Sequence, residues 1–544
     1  MSRFARRRGD HGFAMIMVIG SMAVLTIFVT GALTFAMTNI KPARHDQDWQ
    51  AALAAAQAGV DDYTRHLEDN DSYWTLVNND PANPALSTTN WLTVPGATGT
   101  NVGQFHYYVL DDIPTMSRNA DVRLRVTGKA NNVQRTIEVD LRKNGFLKFL
   151  YYTDFETLDP SLESDPAWAA TNCNKYYYTG RASNCTDIQW ITNDLVNGPL
   201  HTNDAMYITG TPRFTDVQTE SSWPDGSNPA PQSSTHRWYG SGSPATSPTP
   251  AYKPVYAAPV LMPPSNTQIK TQAQATGGCL YTGPTRIILK SNGKMDVMSP
   301  KTTSPNAGCG TGTMSNVQTD IPLPSTGVIY VQSGTGTCSL PELKPAAATN
   351  GFPGYPQGYT DNATKKDVTS YDCKAGDVFV EGTLKGQLTI AADNNVIVTG
   401  DTKYSDGGTG TDVLGLVANN FAQVYHPVNS NGDNLAVQHP DGTSSTLFGI
   451  EIDAALLSVQ HSFLVQNYNK GAALSDSTHK LKVFGVIAQE YRGPVGTSSG
   501  GNISTGYYKD YNYDSRLMVL PPPYFLLPVA APWQVSSMSE QKNP

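Results

Sequence analysis

The feature that most constrains this chain is a run of 28 residues, Phe13 to Ile40 (FAMIMVIGSMAVLTIFVTGALTFAMTNI), without one ionisable side chain. A helix rises about 1.5 Å per residue and needs about 20 apolar residues to cross a bilayer. The run meets that length, and no other stretch of the chain does. Arg3, Arg6, Arg7 and Arg8 precede it, while Lys41 and Arg44 follow. This imbalance predicts a single pass through the inner (cytoplasmic) membrane, with the N-terminus cytoplasmic and everything beyond about residue 41 exported. A soluble cytoplasmic enzyme is excluded on this reading. A cleaved signal peptide, whose apolar core is about 7–15 residues, fits poorly; a plain membrane anchor fits the length.

The 544 residues carry a net charge of −8, which argues against the clustered Lys and Arg of a nucleic-acid surface. Charged residues are only 15%, and Gly (47) and Pro (37) are abundant. That mix favours many short strands and polar turns over long helices.

Past the apolar run a helical pattern continues through DWQAALAAAQAGVDDYTRHLED. One helix from Phe13 to about Glu68 would be about 84 Å long at about 1.5 Å per residue. Pro42 is expected to kink it, because proline cannot donate to the helix ladder.

A basic leader ending in Gly12, then Phe13 opening a long apolar helix, resembles the type IV pilin superfamily. The resemblance implies cleavage by a prepilin peptidase between Gly12 and Phe13, and N-methylation of Phe13. The usual pilin has glutamate five residues into the mature chain, where this chain has Met17. In this it resembles minor pilins of the PilX or general-secretion K kind, and AALAAAQAGVDDYTRHL is similar to the alanine-rich stretch of PilX-type N-termini. The partners so implied are other pilin-like subunits and the pilus assembly machinery.

The expected fold class is α+β, mainly β. After the basic leader (1–12) come the long helix (13–68, with the transmembrane part 13–40) and a pilin-like antiparallel head (69–145). QFHYYVLDD, ADVRLRVTGKA and NVQRTIEVDLR alternate as strands, with GKANN as a hairpin turn. A Cys- and Tyr-rich connection with a first β motif (146–220) follows, then a Pro/Ser/Gly-rich insertion or linker (221–265). From 266 to 515, brief apolar strands alternate with glycine and polar turns. Val378 and Val380, Leu388 and Ile390, and Val396 and Val398 recur about every ten residues, which suits a β-solenoid. A β-sandwich is the competitor. Residues 516–544 read as a Pro-rich C-terminal tail. HTNDAMYITG, GDVFVEGTLKGQLTI, DVLGLVANNF and YDSRLMVLPPPYF are similar to the C-terminal region often attached to PilX-type N-termini, a resemblance that supplies no catalytic residues.

Cys173, Cys185, Cys279, Cys309, Cys338 and Cys373 all lie in the part expected to be exported, where an even count favours disulfides. Pairing between neighbours, Cys173–Cys185, Cys279–Cys309 and Cys338–Cys373, closes modest loops.

Chemistry-bearing motifs are sparse. GTSSG at Gly496–Gly500 matches a nucleophile elbow, but no helical period and no histidine follow it. GCGTGT at Gly308–Thr313 lacks the strand and helix of a dinucleotide loop. Asp393, Asp401, Asp412 and Asp453 are candidates for a glycosidic carboxylate pair, though their spacing selects none and aspartates at corners form turns. Asp510, Asn512 and Asp514 offer oxygen ligands without the rest of a calcium loop. No metal or cofactor is called for. Tyrosines at 176–178 and at 507, 508, 511 and 513 suit sugar stacking or ordinary packing. The expectation is a non-enzymatic minor pilin-like subunit, at a filament tip or in initiation, whose head contacts a surface or polysaccharide. The alternatives are a membrane-anchored module that binds or cleaves envelope polysaccharide, and a type II secretion pseudopilin.

Overall fold

The computed structural model describes residues 11–70, 72–98, 102–143, 145–336, 371–372, 374–428, 431–438, 444–445, 448–476, 478–499, 502–529 and 531–542. The chain is mainly β, with an N-terminal apolar helix and an antiparallel sheet. It divides into two compact units. The smaller comprises residues up to 113, 122–142 and 534–544; the larger comprises 114–121 and 143–533.

In the smaller unit, helix α1 spans His11–Asp69 without interruption, so Pro42 lies within it and does not break it. Its C-terminal half lies against a five-stranded sheet. Four of the strands are β1 (Leu92–Thr93), β2 (Gln104–Val109), β3 (Asp121–Ala130) and β4 (Val133–Lys143). β2 pairs antiparallel with β1 and β3, and a turn at Asn131, with φ of 52°, leads from β3 to β4. Alternation in β2 buries Phe105, Tyr107 and Val109, while α1 buries Ala52, Ala55, Ala56, Val60, Tyr63 and Leu67 at helical spacing.

The alanine-rich sequence has a geometric cause. A Cβ on Gly128 of β3 would stand 2.1 Å from the Ala52 carbonyl oxygen and 2.3 Å from the Ala56 nitrogen. One on Gly59 of α1 would stand 2.6 Å from Val126 Cγ1. Helix and sheet backbones touch here, which only small residues permit. Polar contacts fix the register: the Tyr107 hydroxyl donates to Asp62 Oδ2 at 2.9 Å, and Asn83 Nδ2 donates to the hydroxyls of Tyr73 and Tyr107.

The fifth strand of this sheet is Trp533–Gln541, beside β4. Residues 516–544, expected as a tail, thus contain an element of the N-terminal sheet. The large unit is an insertion between two strands of the small one.

The large unit is built on parallel ladders. In spatial order one of them runs through strands 279–282, 328–332, 387–392, 413–418, 450–458, 481–491, 151–155, 200–202, 219–221 and 255–256. One register column is Ile329, Ile390, Leu416, Leu456, Ile487, Tyr151 and Leu200, all in the main core. The adjacent column, Tyr330, Ala391, Val417, Leu457, Ala488 and Tyr152, faces the other way. It forms a second core with Ile269 and Ala273 of the helix Thr267–Gln274 and with Phe146, Leu517 and Phe525. A second parallel ladder joins 285–290, 378–384, 396–404, 422–424 and 463–465. All six aliphatics singled out between 378 and 398 are buried in the main core.

Chain order and spatial order differ. The chain enters in mid-stack at Tyr151, runs to Val255–Tyr256 at one end, and resumes at Cys279 at the other. It then returns to Ile487, directly beside Tyr151. A strand near the end of the unit, 481–491, therefore lies beside its first, 151–155. The Tyr513 hydroxyl donates to the Leu147 carbonyl at 2.6 Å across this junction.

Segment 221–265, expected as an insertion or linker, does bury side chains. Trp223 and Trp238 are in the interior, and the strands at 238–239 and 255–256 pair in parallel with 206–207 and 220–221 respectively. Its tryptophans supply the apolar area that its Pro, Ser and Gly cannot.

Candidate functional site

Two regions carry chemistry beyond packing. The first is the N-terminal half of α1. Ala14–Phe35 is long and apolar enough to cross a membrane, and none of it is buried against the protein. Met15, Ile16, Met17, Ile19, Leu25 and Phe28 are all more than half exposed. Met17 is 61% exposed, so no acidic group interrupts this apolar surface. Ser21, Thr26, Thr30 and Thr34 return their hydroxyls to carbonyls three or four residues earlier, as polar groups must in an apolar medium. Gly12 and Phe13 lie in the helix's opening turn.

The second is a cleft of about 230 Å³ in the large unit, lined by residues from 158–194, 468 and 493–509. Beside it lies a buried ionic cluster. Trp190 Nε1 and Arg492 Nη1 donate to Glu156 Oε2 at 3.0 and 2.9 Å. The Arg492 guanidinium lies 3.7 Å from the Trp190 ring centroid. Lys509 Nζ reaches both Asp194 oxygens at 3.1 Å, and burial pushes its pKa down. Arg181 pairs with Asp187 at 3.0 Å and with Asp204. Tyr468 and Tyr508, both half-buried, also line the cleft. The sequence singled out Tyr507, Tyr508 and the GTSSG stretch from Gly496, and missed the rest, because the lining converges from distant positions.

Two of the neighbour-paired disulfides are present, Cys173–Cys185 and Cys279–Cys309. The first closes the Tyr-rich segment. There Tyr177 stacks on Tyr239 at 3.8 Å, and Tyr176 stacks between Phe155 and Tyr178. Cys338 and Cys373 lie outside the described residues.

The four candidate aspartates do not converge. Each accepts a backbone N–H: Asp393 from Ser333 at 2.7 Å, Asp401 from Glu451 at 3.0 Å, Asp412 from Gly386 at 2.7 Å, and Asp453 from Tyr404 at 2.9 Å. Burial pushes Asp453 up to about 6. Gly496–Ser499 is a strand of an antiparallel hairpin with Asn502–Gly506, not a strand-to-helix elbow. Asp514 pairs with Arg516 at 2.7 Å and caps the turn after it.

No family model matches the chain, and no curated protein does. Among solved structures, the crystal structure of competence-associated pilin ComZ from Thermus thermophilus matches at 13% identity and a TM-score of 0.23, covering 91% of this chain and 98% of that one.

Proposed function

We propose that this chain is a non-enzymatic minor-pilin-like subunit of a type IV pilus or related filament. One observation carries the reading: a single helix, α1, is wholly unburied and apolar over Ala14–Phe35 and, further along, closely seated on a small antiparallel sheet. Such a surface needs either lipid or other apolar helices around it. Phe13–Ile40 holds the exported chain in the membrane. Cleavage after Gly12 removes the leader and its arginines, and the helix then exchanges lipid for neighbouring pilin helices.

We read the large unit as a β-solenoid; parallel pairing along both ladders supports this over a sandwich, whose sheets are antiparallel. An insertion of this size suits a tip or initiating position, where no subunit must pack above it, and Met17 in place of glutamate agrees. There the head makes adhesive contacts. Engagement of Asp393, Asp401, Asp412 and Asp453 by backbone donors supports a non-enzymatic head.

The test is the intact mass and N-terminal sequence of the protein from its own cells, with and without the prepilin peptidase. A mature chain beginning at Phe13 that disappears without the peptidase is expected. An uncleaved chain in both strains leaves a simple membrane anchor and overturns the filament reading.

A further inference from the structure

The large unit keeps an expensive set of charges out of water. Glu156 and Arg492 are each 1% exposed in their side chains, and Asp194 and Lys509 are 7% and 16% exposed. Apolar residues of similar volume commonly serve stability as well as a buried ion pair does. What these charges do here is set the cleft wall. Arg492 donates to the carbonyls of Ile188 and Gln189 at 3.2 and 3.0 Å, and Asp194 accepts from the Ile191 N–H at 3.1 Å. Segment 188–194 is thereby held rigidly along one side.

The lining narrows the ligand class. Its ions are already paired within the protein, Lys509 with Asp194 and Asp187 with Arg181. An anionic ligand would meet no unpaired cation, and a cationic one only a carboxylate that Arg181 already holds, so the fitting ligand is neutral. Tyrosine faces favour C–H surfaces, and Tyr468 and Tyr508 line the cleft together with Gln189. Gln189 Oε1 accepts from the Thr209 hydroxyl at 2.7 Å; its amide N–H groups have no protein partner among the described residues. The volume, about 230 Å³, lies below the about 300–1,000 Å³ of drug-sized sites, so it takes one small unit.

Apolar faces, hydroxyls, neutrality and that size together describe a sugar ring. We propose that this cleft binds one neutral saccharide unit, with its C–H faces against Tyr468 and Tyr508 and its hydroxyls on Gln189 and Asp187. Its role as the contact point of an adhesive head rests on the filament reading; the binding itself does not.

The experiment titrates the full-length, detergent-solubilised chain with methyl glycosides of glucose, galactose, mannose and N-acetylglucosamine, followed by ligand-observed NMR. At least one glycoside is expected to bind more tightly than about 10 mM, an affinity of about 3 kcal/mol. Tyr468→Ala and Gln189→Ala are expected to weaken it at least tenfold. Tyr468→Phe, which keeps the ring, retains binding, as does Tyr252→Ala elsewhere on the surface. Unchanged melting curves identify the variants that fold. If none of the four glycosides binds, or if Tyr468→Ala and Gln189→Ala fold and bind as before, the assignment is overturned. Because the unprocessed chain is used, cleavage at Gly12 without sugar binding overturns only the cleft, and sugar binding without cleavage overturns only the filament.

Discussion

Arg135 and Glu540, 405 positions apart, form a two-pronged ion pair: Arg135 Nε and Nη2 each reach a Glu540 oxygen at 2.6 Å. The Arg135 guanidinium also lies over the Trp49 ring at 4.6 Å. Helix, sheet and the returning C-terminal strand are thus tied at one point. The pair pulls the Glu540 carboxyl below its usual range. A carboxyl with a lowered folded pKa adds stability above its unfolded value, about 4.3, and that stability is lost as pH falls through the folded value. Protection of residues 533–541 against hydrogen exchange, relative to the unstructured rate at the same pH, is therefore expected to fall below about pH 4. Glu540→Gln should show the lower protection already at neutral pH. Identical exchange in both proteins would deny the pair any role in holding the strand.

Gly128 tests the close approach of helix and sheet. The Cβ of Gly128→Ala meets backbone atoms of Ala52 and Ala56, which cannot swing aside as a side chain can. Overpacking of this kind costs about 1–3 kcal/mol. The expected result is a lower denaturation midpoint for the small unit, while the large unit, followed by its own tryptophans, is unchanged. An unaltered midpoint would mean that α1 does not lie so near β3.

These two positions also show how much of the fold was legible in the sequence. α1 and the meander β2–β4 are long, locally paired and strongly periodic, so their patterns were readable. The strand WQVSSMSEQ was not: seven of its nine residues, from Gln534 to Glu540, are exposed, and no alternation marks it. Nor was the splice of Tyr151 beside Ile487, since parallel pairing between distant strands leaves no local signal. The short buried pairs at 378–398 were legible because each strand keeps its i, i+2 aliphatics on the core side, although 378–384 pairs with 396–404 and skips the strand between them. The cleft was not, because 187–194 and 493–509 converge only through that splice.

Arg492→Ala should be among the most damaging single changes in the large unit. It strands Glu156 as a buried charge and removes the cation over Trp190. Breaking one side of a buried pair costs about 3–5 kcal/mol. Urea unfolding followed by Trp190 fluorescence measures it, and a loss under 1 kcal/mol, within the range of an exposed pair, would show that solvent reaches the cluster.

The two disulfides close loops of 12 and 30 residues. Removing either should cost about 2–4 kcal/mol. Non-reducing peptide mapping should recover Cys173 linked to Cys185 and Cys279 linked to Cys309, and Cys173→Ala should loosen the Tyr176–Tyr178 stack first. Recovery of either pair's cysteines with other partners would contradict the observed connectivity.

Glu490 gives a prediction of opposite sign to Glu540. It is in the strand beside Asp154, because Gln489 pairs with Thr153 and Tyr491 with Phe155. Burial pushes its carboxyl up to about 8, and the like charges of Asp154 and Asp159 add to the rise. Its folded pKa exceeds the unfolded one, so the native state holds the proton more tightly. The stability this supplies is complete below about pH 4 and is lost progressively as pH rises towards 8. Glu490→Gln imitates the protonated form at every pH. The variant and the natural protein should therefore melt together near pH 4, with the variant increasingly the more stable up to pH 8. Parallel melting profiles across that range would show that Glu490 is ionised and solvated in the folded state. The junction between strands 151–155 and 481–491 would then carry no penalty from charge.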